Sequence, residues 1–425
     1  MEPIFTDATT SPVTQDQADL QNILRLKQLF ATLPDPRVIG RVLYPLPEVL
    51  LVALCAMICD CEDFTDMGHF ARSQLAWLRQ FIPLRHGAPS HDVFRNVLLA
   101  LRPDTLLEIM ELWVGDLDGK QVAIDGKVSR GAKDTTTGKS TLHILRAWVS
   151  EASLSVGHEV CEEKSNELAA LPRLLAKLQL RGATVTIDAM GGHPEVARLI
   201  QAAGGDYILA LKANEKEAHQ DVIAEFDKLR PAAEELHTQG NWVEGCEVST
   251  TREQNRGRYE QREVVVLRDL SGWPKAWKWS GLQSVICVRR ETMRQRHATD
   301  NPAVERHYYL SSSKASAAEL GRLIRNHWSV EPERSGDRQP QAARRVSKAN
   351  QNQCHHLLDV TYHEDHCQVR DKAAAHNLTL LREISTKVLK SSAVKGSIRS
   401  KRKRCALDPA FRTEATQHIF NGFGA

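Results

Sequence analysis

Two short apolar runs, each ending at an aspartate, set the strongest limit on what this chain can fold into. Gln121 to Ile124 is a β-type run that stops at Asp125-Gly126-Lys127, and Ala183 to Ile187 is a second that stops at Asp188-Ala189-Met190-Gly191-Gly192. Around them strand and helix patterns alternate. Leu142 to Val149 and Ser155 to Val160 read as strands, and Ser165 caps a helix with Leu168, Leu171, Leu174, Leu175 and Leu178 at helical spacing. Pro194 opens another helix through Val196, Leu199 and Ile200, and Asp206 to Leu211 is a strand leading to Lys212. This order predicts an α/β layout with a partly parallel sheet, and such sheets set their sites at strand C-termini.

A carboxylate placed directly after a buried strand reaches the sheet edge without being buried unpaired. Asp125 and Asp188 on neighbouring strands would offer hard oxygen ligands suited to Mg²⁺. A third carboxylate would allow two ions about 3.5–4 Å apart, the clamp used for in-line displacement at phosphorus. Glu331 is the candidate, at the end of a helix that starts at a capping box, Ser316 with Glu319, and has Leu320, Leu323, Ile324 and Trp328 on its apolar face. Each aspartate taken alone is equally an ordinary turn former before Gly126 or Ala189.

The flanks differ. Residues 1 to 24 are polar and aperiodic and predict a loose arm, and residues 25 to 117 carry helical apolar spacing broken by prolines, which predicts a small all-helical domain. In it Ser90 is expected to cap a helix through Val93, Phe94, Val97 and Leu98, and Trp77 and Phe81 read as helix core. The catalytic domain is expected over 118 to 394, with a β-rich insertion at about 215 to 306 that includes Val264 to Leu267 and Ser284 to Val288. The net charge of the 425 residues is only +3, so bulk electrostatics do not name a polyanionic partner. Lys395 to Arg404 nevertheless carries six cations and no acid, and the segment 395 to 425 reads as a basic tail in which Lys401, Arg402, Lys403 and Arg404 neutralise phosphates, or as a solvated arm. Nine scattered cysteines fit a reducing compartment. The longest apolar run, Val49 to Cys59, falls short of the ~20 residues that span a bilayer, and the start of the chain has no signal-peptide pattern, so a cytoplasmic protein is expected.

Several strings occur in an order that one family shares: D-P-R at 35 to 37, Y-P-L-P-E-V-L-L-V-A-L-C-A at 44 to 56, P-S-H-D-V-F at 89 to 94 and I-D-G-K at 124 to 127. E-K-S-N-E at 163 to 167, T-I-D-A-M-G at 186 to 191, G-G-D-Y-I-L-A-L-K at 204 to 212, H-W-S-V-E at 327 to 331 and L-D-V-T-Y-H-E-D at 358 to 365 follow. The chain resembles the DDE-type insertion-sequence transposases of the branch that contains the H-repeat-associated proteins, over about residues 25 to 405. The resemblance implies an RNase H-like catalytic core with a β-rich insertion, behind a helical domain that handles DNA ends. It implies Asp125, Asp188 and Glu331 as the catalytic carboxylates, two Mg²⁺ or Mn²⁺ ions per site, and cleavage of terminal inverted repeats followed by strand transfer into target DNA. A homo-oligomer working on DNA, associated with the bacterial nucleoid, is the implied assembly. Lys127, Arg130 and Lys212 lie near the metal elements as phosphate contacts, with solvated surface charge as the plain alternative.

Asp359, Glu364 and Asp365 are second-choice carboxylates should Glu331 not be the third ligand. Cys354, His355, His356, His363, His366 and Cys367 invite a zinc reading, but their spacing fits no standard pair-and-pair pattern. Two other functions compete: a transposon-derived DNA-binding protein with impaired catalysis, and a stand-alone RNase H-like nuclease. The chain also departs from its relatives. Pro332 follows Glu331, and residues 332 to 351 read as an inserted loop before Asn352-Gln353-Cys354-His355.

Overall fold

The computed structural model describes residues 26–38, 40–128, 142–161, 167–212, 215–237, 246–255, 258–273, 275–294, 303–327, 357–392 and 394–420. Arg130, Glu331, the segment 332 to 351 and Cys354, His355 and His356 lie outside them. The chain divides into two compact units, Met1–Ile109 with Leu380–Ala425, and Met110–Thr379.

The first unit is helical. Its elements are α1 (Leu26–Thr32), α2 (Leu46–Ile58), α3 (Phe64–Ser73), α4 (Leu75–Leu78), α5 (His91–Ala100) and the first part of α6 (Pro103–Val114). Pro45 and Pro47 flank the start of α2, where a missing N–H costs nothing, and Asp63 caps α3 through the Asp66 N–H. Ser90 sits at the N-cap of α5 as expected from sequence, but its hydroxyl makes no capping bond. α2 is buried all round because later helices of the same unit pack on it.

The second unit is built on a nine-stranded sheet of order β3-β2-β1-β4-β5-β9-β8-β7-β6. The strands are β1 (Gln121–Val128), β2 (His143–Val149), β3 (Leu154–Cys161), β4 (Thr184–Ile187), β5 (Asp206–Leu211), β6 (Cys246–Asn255), β7 (Arg258–Leu267), β8 (Ser284–Arg294) and β9 (Ala303–Ser311). β1, β2 and β3 form an antiparallel meander, while β4 and β5 lie parallel to β1. The connections to β4 and β5 run through α7 (Glu167–Lys177) and α8 (Pro194–Ala202). The mixed α/β fold inferred from the alternation of runs is therefore the observed one.

β6 to β9 extend the same sheet, following α9 (Lys216–His237), and α10 (Ala317–His327) closes over them. Leu320, Leu323 and Ile324 of α10 pack on Ile208, Val264, Val266, Ile286, Val288 and Tyr309. The Ser316 hydroxyl accepts the Glu319 N–H, which is one half of the expected capping box, while the Glu319 carboxylate pairs with the Arg322 guanidinium instead of reaching back. Beyond α10 the described chain resumes with a single π turn at Leu357–Thr361, a 3₁₀ turn at Glu364–His366, and α11 (Lys372–Ser391).

The C-terminal segment is the main departure from expectation. In place of a loose basic tail, it folds as α12 (Ile398–Leu407) and α13 (Pro409–Phe420) within the helical unit. Two of the four cations expected on DNA are used inside the fold. Lys401 is buried and donates its Nζ to the Leu389 and Ser392 carbonyls at 2.6 and 3.3 Å. Arg402 is fully buried, donating Nε to the Met57 carbonyl at 2.9 Å and lying 3.2 Å from the Asp60 carboxylate. Lys403, Arg404 and Arg399 remain exposed. Trp77 is core as expected: its Nε1 donates to the Thr413 hydroxyl, and the Arg412 guanidinium lies 4.7 Å over its ring.

Candidate active site

Ile124 of β1 pairs with Ile187 of β4 in parallel register, so the next residue on each strand, Asp125 and Asp188, emerges side by side at the C-terminal ends. Both line one pocket with Gly126, Glu167, Leu168, Leu171, Met190 and Gly191. The Asp125 Oδ1 accepts the Gly126 N–H at 2.8 Å, and the Asp188 Oδ1 accepts the Met190 N–H at 3.0 Å. These bonds to backbone N–H groups orient both carboxylates.

The glycine of Ile-Asp-Gly-Lys has a steric reason. A Cβ at position 126 would lie 2.6 Å from the Glu167 carboxylate, so glycine leaves room for that carboxylate against β1 and a larger residue would have to displace it. Glu167 is itself buried, with its Oε1 2.6 Å from His143 Nε2. In the sequence Glu167 stands at the end of E-K-S-N-E, 163 to 167, with no role attached to it. Its signal was an acid at the first turn of an amphipathic helix, which is also what any helix start looks like.

Asp125 and Asp188 suit Mg²⁺ or Mn²⁺: hard oxygens, adjacent, at a strand end. Among the described residues no group of three ligating side chains forms, so two carboxylates alone make up the described part of the set. His327, the last residue of α10, is buried on the same sheet face, its Nδ1 3.1 Å from the hydroxyl of Thr186, two residues before Asp188. Burial pushes the imidazole down to about 4, against the upward pull of Asp188. The unfolded value is near 6.5, so the neutral ring stabilises the fold in full above about pH 6.5. That contribution, on the order of 3 kcal/mol, drains as the pH falls and is gone below about 4. His327→Gln is expected to flatten the fall in melting temperature between pH 7 and 4.5; an unaltered profile would place the acid sensitivity elsewhere.

Lys127 and Lys212 part company. Lys212 is exposed directly after β5. Lys127 is buried, and its ammonium is held between the carboxylates of Asp359 and Glu364. It therefore does not present its charge to a phosphate. The same contacts engage two of the second-choice metal ligands. Burial raises the Asp359 carboxyl although Lys127 pulls it down.

A sheet that brings two carboxylates together at parallel strand ends, flanked by helices on both faces, defines an α/β protein with its site at the strand C-termini. Comparison gives the family. The transposase DDE domain matches residues 110–333, more than half of the chain, and the DDE-associated domain matches residues 27–114. The chain belongs to the DDE transposase family, and its relatives include the H-repeat-associated proteins. An uncharacterised protein from the dhlA 3′ region of Xanthobacter autotrophicus is 34% identical over 68% of this chain and 95% of its own length. YhhI, an H repeat-associated candidate transposase of Escherichia coli strain K12, is 29% identical over 90% of this chain and 95% of its own. A piggyBac transposase in a synaptic complex with hairpin DNA aligns at a TM-score of 0.33 and 10% identity, over 96% of this chain and 79% of that one, a likeness too low to carry an argument. No helix among the described residues is long and apolar enough to cross a membrane.

Proposed function

We propose that this protein is a transposase that cuts the DNA ends of an insertion sequence and joins them to target DNA. The observation that carries the reading is the parallel register that sets Asp125 beside Asp188. The strand order β3-β2-β1-β4-β5, a meander followed by two parallel strands, supports an RNase H-like core. Glu331 is the third carboxylate in this reading: it follows His327 by four residues in the sequence, and His327 faces the strand that leads to Asp188. Asp125, Asp188 and Glu331 would hold two Mg²⁺ or Mn²⁺ ions. When bound, the ions supply Lewis-acid activation of the attacking oxygen and stabilise the departing 3′ oxygen. The chain's own residues hold the scissile phosphate at the strand ends. Water attacks phosphorus and the bond to the 3′ oxygen breaks, freeing a 3′-OH; this 3′-OH then attacks a phosphodiester of the target, giving up its proton as the new P–O bond forms and the target strand's own 3′ oxygen leaves and is protonated. Terminal inverted repeats and target DNA are the substrates, Lys212, Arg130, Lys403 and Arg404 are phosphate contacts, and a homo-oligomer assembles on DNA.

A strand-transfer assay tests this with Mn²⁺ and a labelled copy of the cognate end. Joined product is the expected result; nicking without joining indicates a nuclease, and neither product indicates a protein that only binds. The family match ends at residue 333, where Pro332 begins the inserted stretch. A proline restrains the residue before it from helical geometry, and a metal ligand must be held to about half an ångström. Deleting residues 332 to 351 is therefore expected to raise both cleavage and joining. Equal activity with and without the segment would make the insertion neutral.

A further inference from the structure

Side chains alternate along β1, so Ala123, Asp125 and Lys127 share one face of the sheet. Across the strands Asp125 pairs with Arg146, and Arg146 with His158, which makes a row that starts at the proposed metal carboxylate. Residues 357 to 379 cover that row. Leu358 packs on Ala123 and Trp148, and Ala375 packs on Leu142 and Ile144. His376 stacks on His158 with their ring nitrogens 2.7 Å apart.

Four charges lie in the middle of this contact. Lys127 reaches Asp359 and Glu364, and Arg146 lies 3.7 Å from the same Glu364, whose second oxygen accepts the Thr379 hydroxyl. Two cations face two carboxylates, and three of the four side chains are under a tenth exposed. Burying a balanced set of this kind gains little net stability over an apolar packing, so stability alone is a weak reason for it. Fixed geometry is a better one. The charges pin the π turn at 357–361 and the 3₁₀ turn at 364–366 to β1 two residues beyond Asp125.

We infer that Lys127, with Asp359 and Glu364, is a positioning group: it braces the end of β1 so that the Asp125 carboxylate stands ready for a divalent ion. Asp359 and Glu364 are then the brace and leave the ligand role to Glu331. This rests on the metal-site reading above.

The test is Mn²⁺ binding by the full chain, followed through the electron-spin signal of free Mn²⁺ at a temperature where circular dichroism shows each variant folded. Groups that orient metal ligands are typically worth ten- to a hundredfold in affinity. Lys127→Met is expected to weaken binding by about that factor. Lys127→Met with Glu364→Gln removes charge from both partners, and it carries the same test if the single variant does not fold. Wild-type Mn²⁺ affinity in a folded Lys127 variant overturns the inference, because a merely stabilising contact would lower the melting temperature and leave affinity alone. Retained binding in Asp125→Asn, or none in the wild type, instead overturns the metal-site reading on which the brace depends.

Discussion

Asp125→Asn or Asp188→Asn is expected to lower metal-dependent cleavage of the cognate end by about a thousandfold or more, with end binding within twofold of wild type. Asparagine keeps the shape of the side chain and the oxygen that accepts the Gly126 or Met190 N–H, so the turn after each strand should survive. What is lost is one anionic ligand. Metal-ion stabilisation of transition-state charge is worth several kcal/mol, and each ~1.4 kcal/mol is tenfold in rate. DNA binding rests mainly on phosphate contacts made by cations elsewhere and should hardly change. Glu167→Gln is the contrasting variant: the amide can still pack against Gly126 and His143, and a loss under about tenfold is expected if Glu167 is pocket wall. End cleavage measured at saturating Mn²⁺ decides it. Normal cleavage by either aspartate variant removes the assignment, and a thousandfold loss in Glu167→Gln would move that carboxylate into the ligand set.

The core of the sheet was legible in the sequence because its strands are buried on both faces. β1, β4 and β5 read as continuous apolar runs with few alternatives, and each run ended where a charge had to leave the core. The outer strands were harder. β7 and β8 were seen only as Val264 to Leu267 and Ser284 to Val288, the halves packed beneath α10, whereas their other halves carry the polar, half-buried Glu260, Arg262, Arg290 and Thr292. β6, with Thr250, Thr251, Arg252 and Glu253, has almost no apolar signal, since as an edge strand it is specified by its partner. In the site, the two aspartates were readable from strand ends. The Lys127 contacts were not, because they join positions 232 and 237 residues apart, and no local pattern encodes such a pairing.

The basic stretch at 395 to 404 shows the same limit, and the second large effect is expected there. Composition counts six cations and cannot say which of them face water. In the fold, Arg402 is fully buried and gives hydrogen bonds to the carbonyls of Met57 and Cys61, tying α12 to the end of α2. Arg402→Ala removes these donors and opens a cavity, leaving the Met57 carbonyl with the Asp60 N–H at 3.3 Å. Breaking a buried charged contact costs about 3–5 kcal/mol, and the low end applies because Asp60 is about a third exposed and can turn to solvent. A loss of roughly 3 kcal/mol should appear as a melting point lower by several degrees. Lys403→Ala with Arg404→Ala should behave in the opposite way. Both side chains are exposed, so stability changes little, although the Arg404 guanidinium stacked 3.7 Å over Phe411 contributes slightly. If both meet DNA phosphates, the log-log salt slope of duplex binding should fall by about 0.9 for each. The two variants thus separate anchoring from DNA contact within one ten-residue helix. A stable Arg402→Ala protein would deny the anchor, and an unchanged slope in the double variant would leave α12 as a packing element whose outer charges serve only solvation.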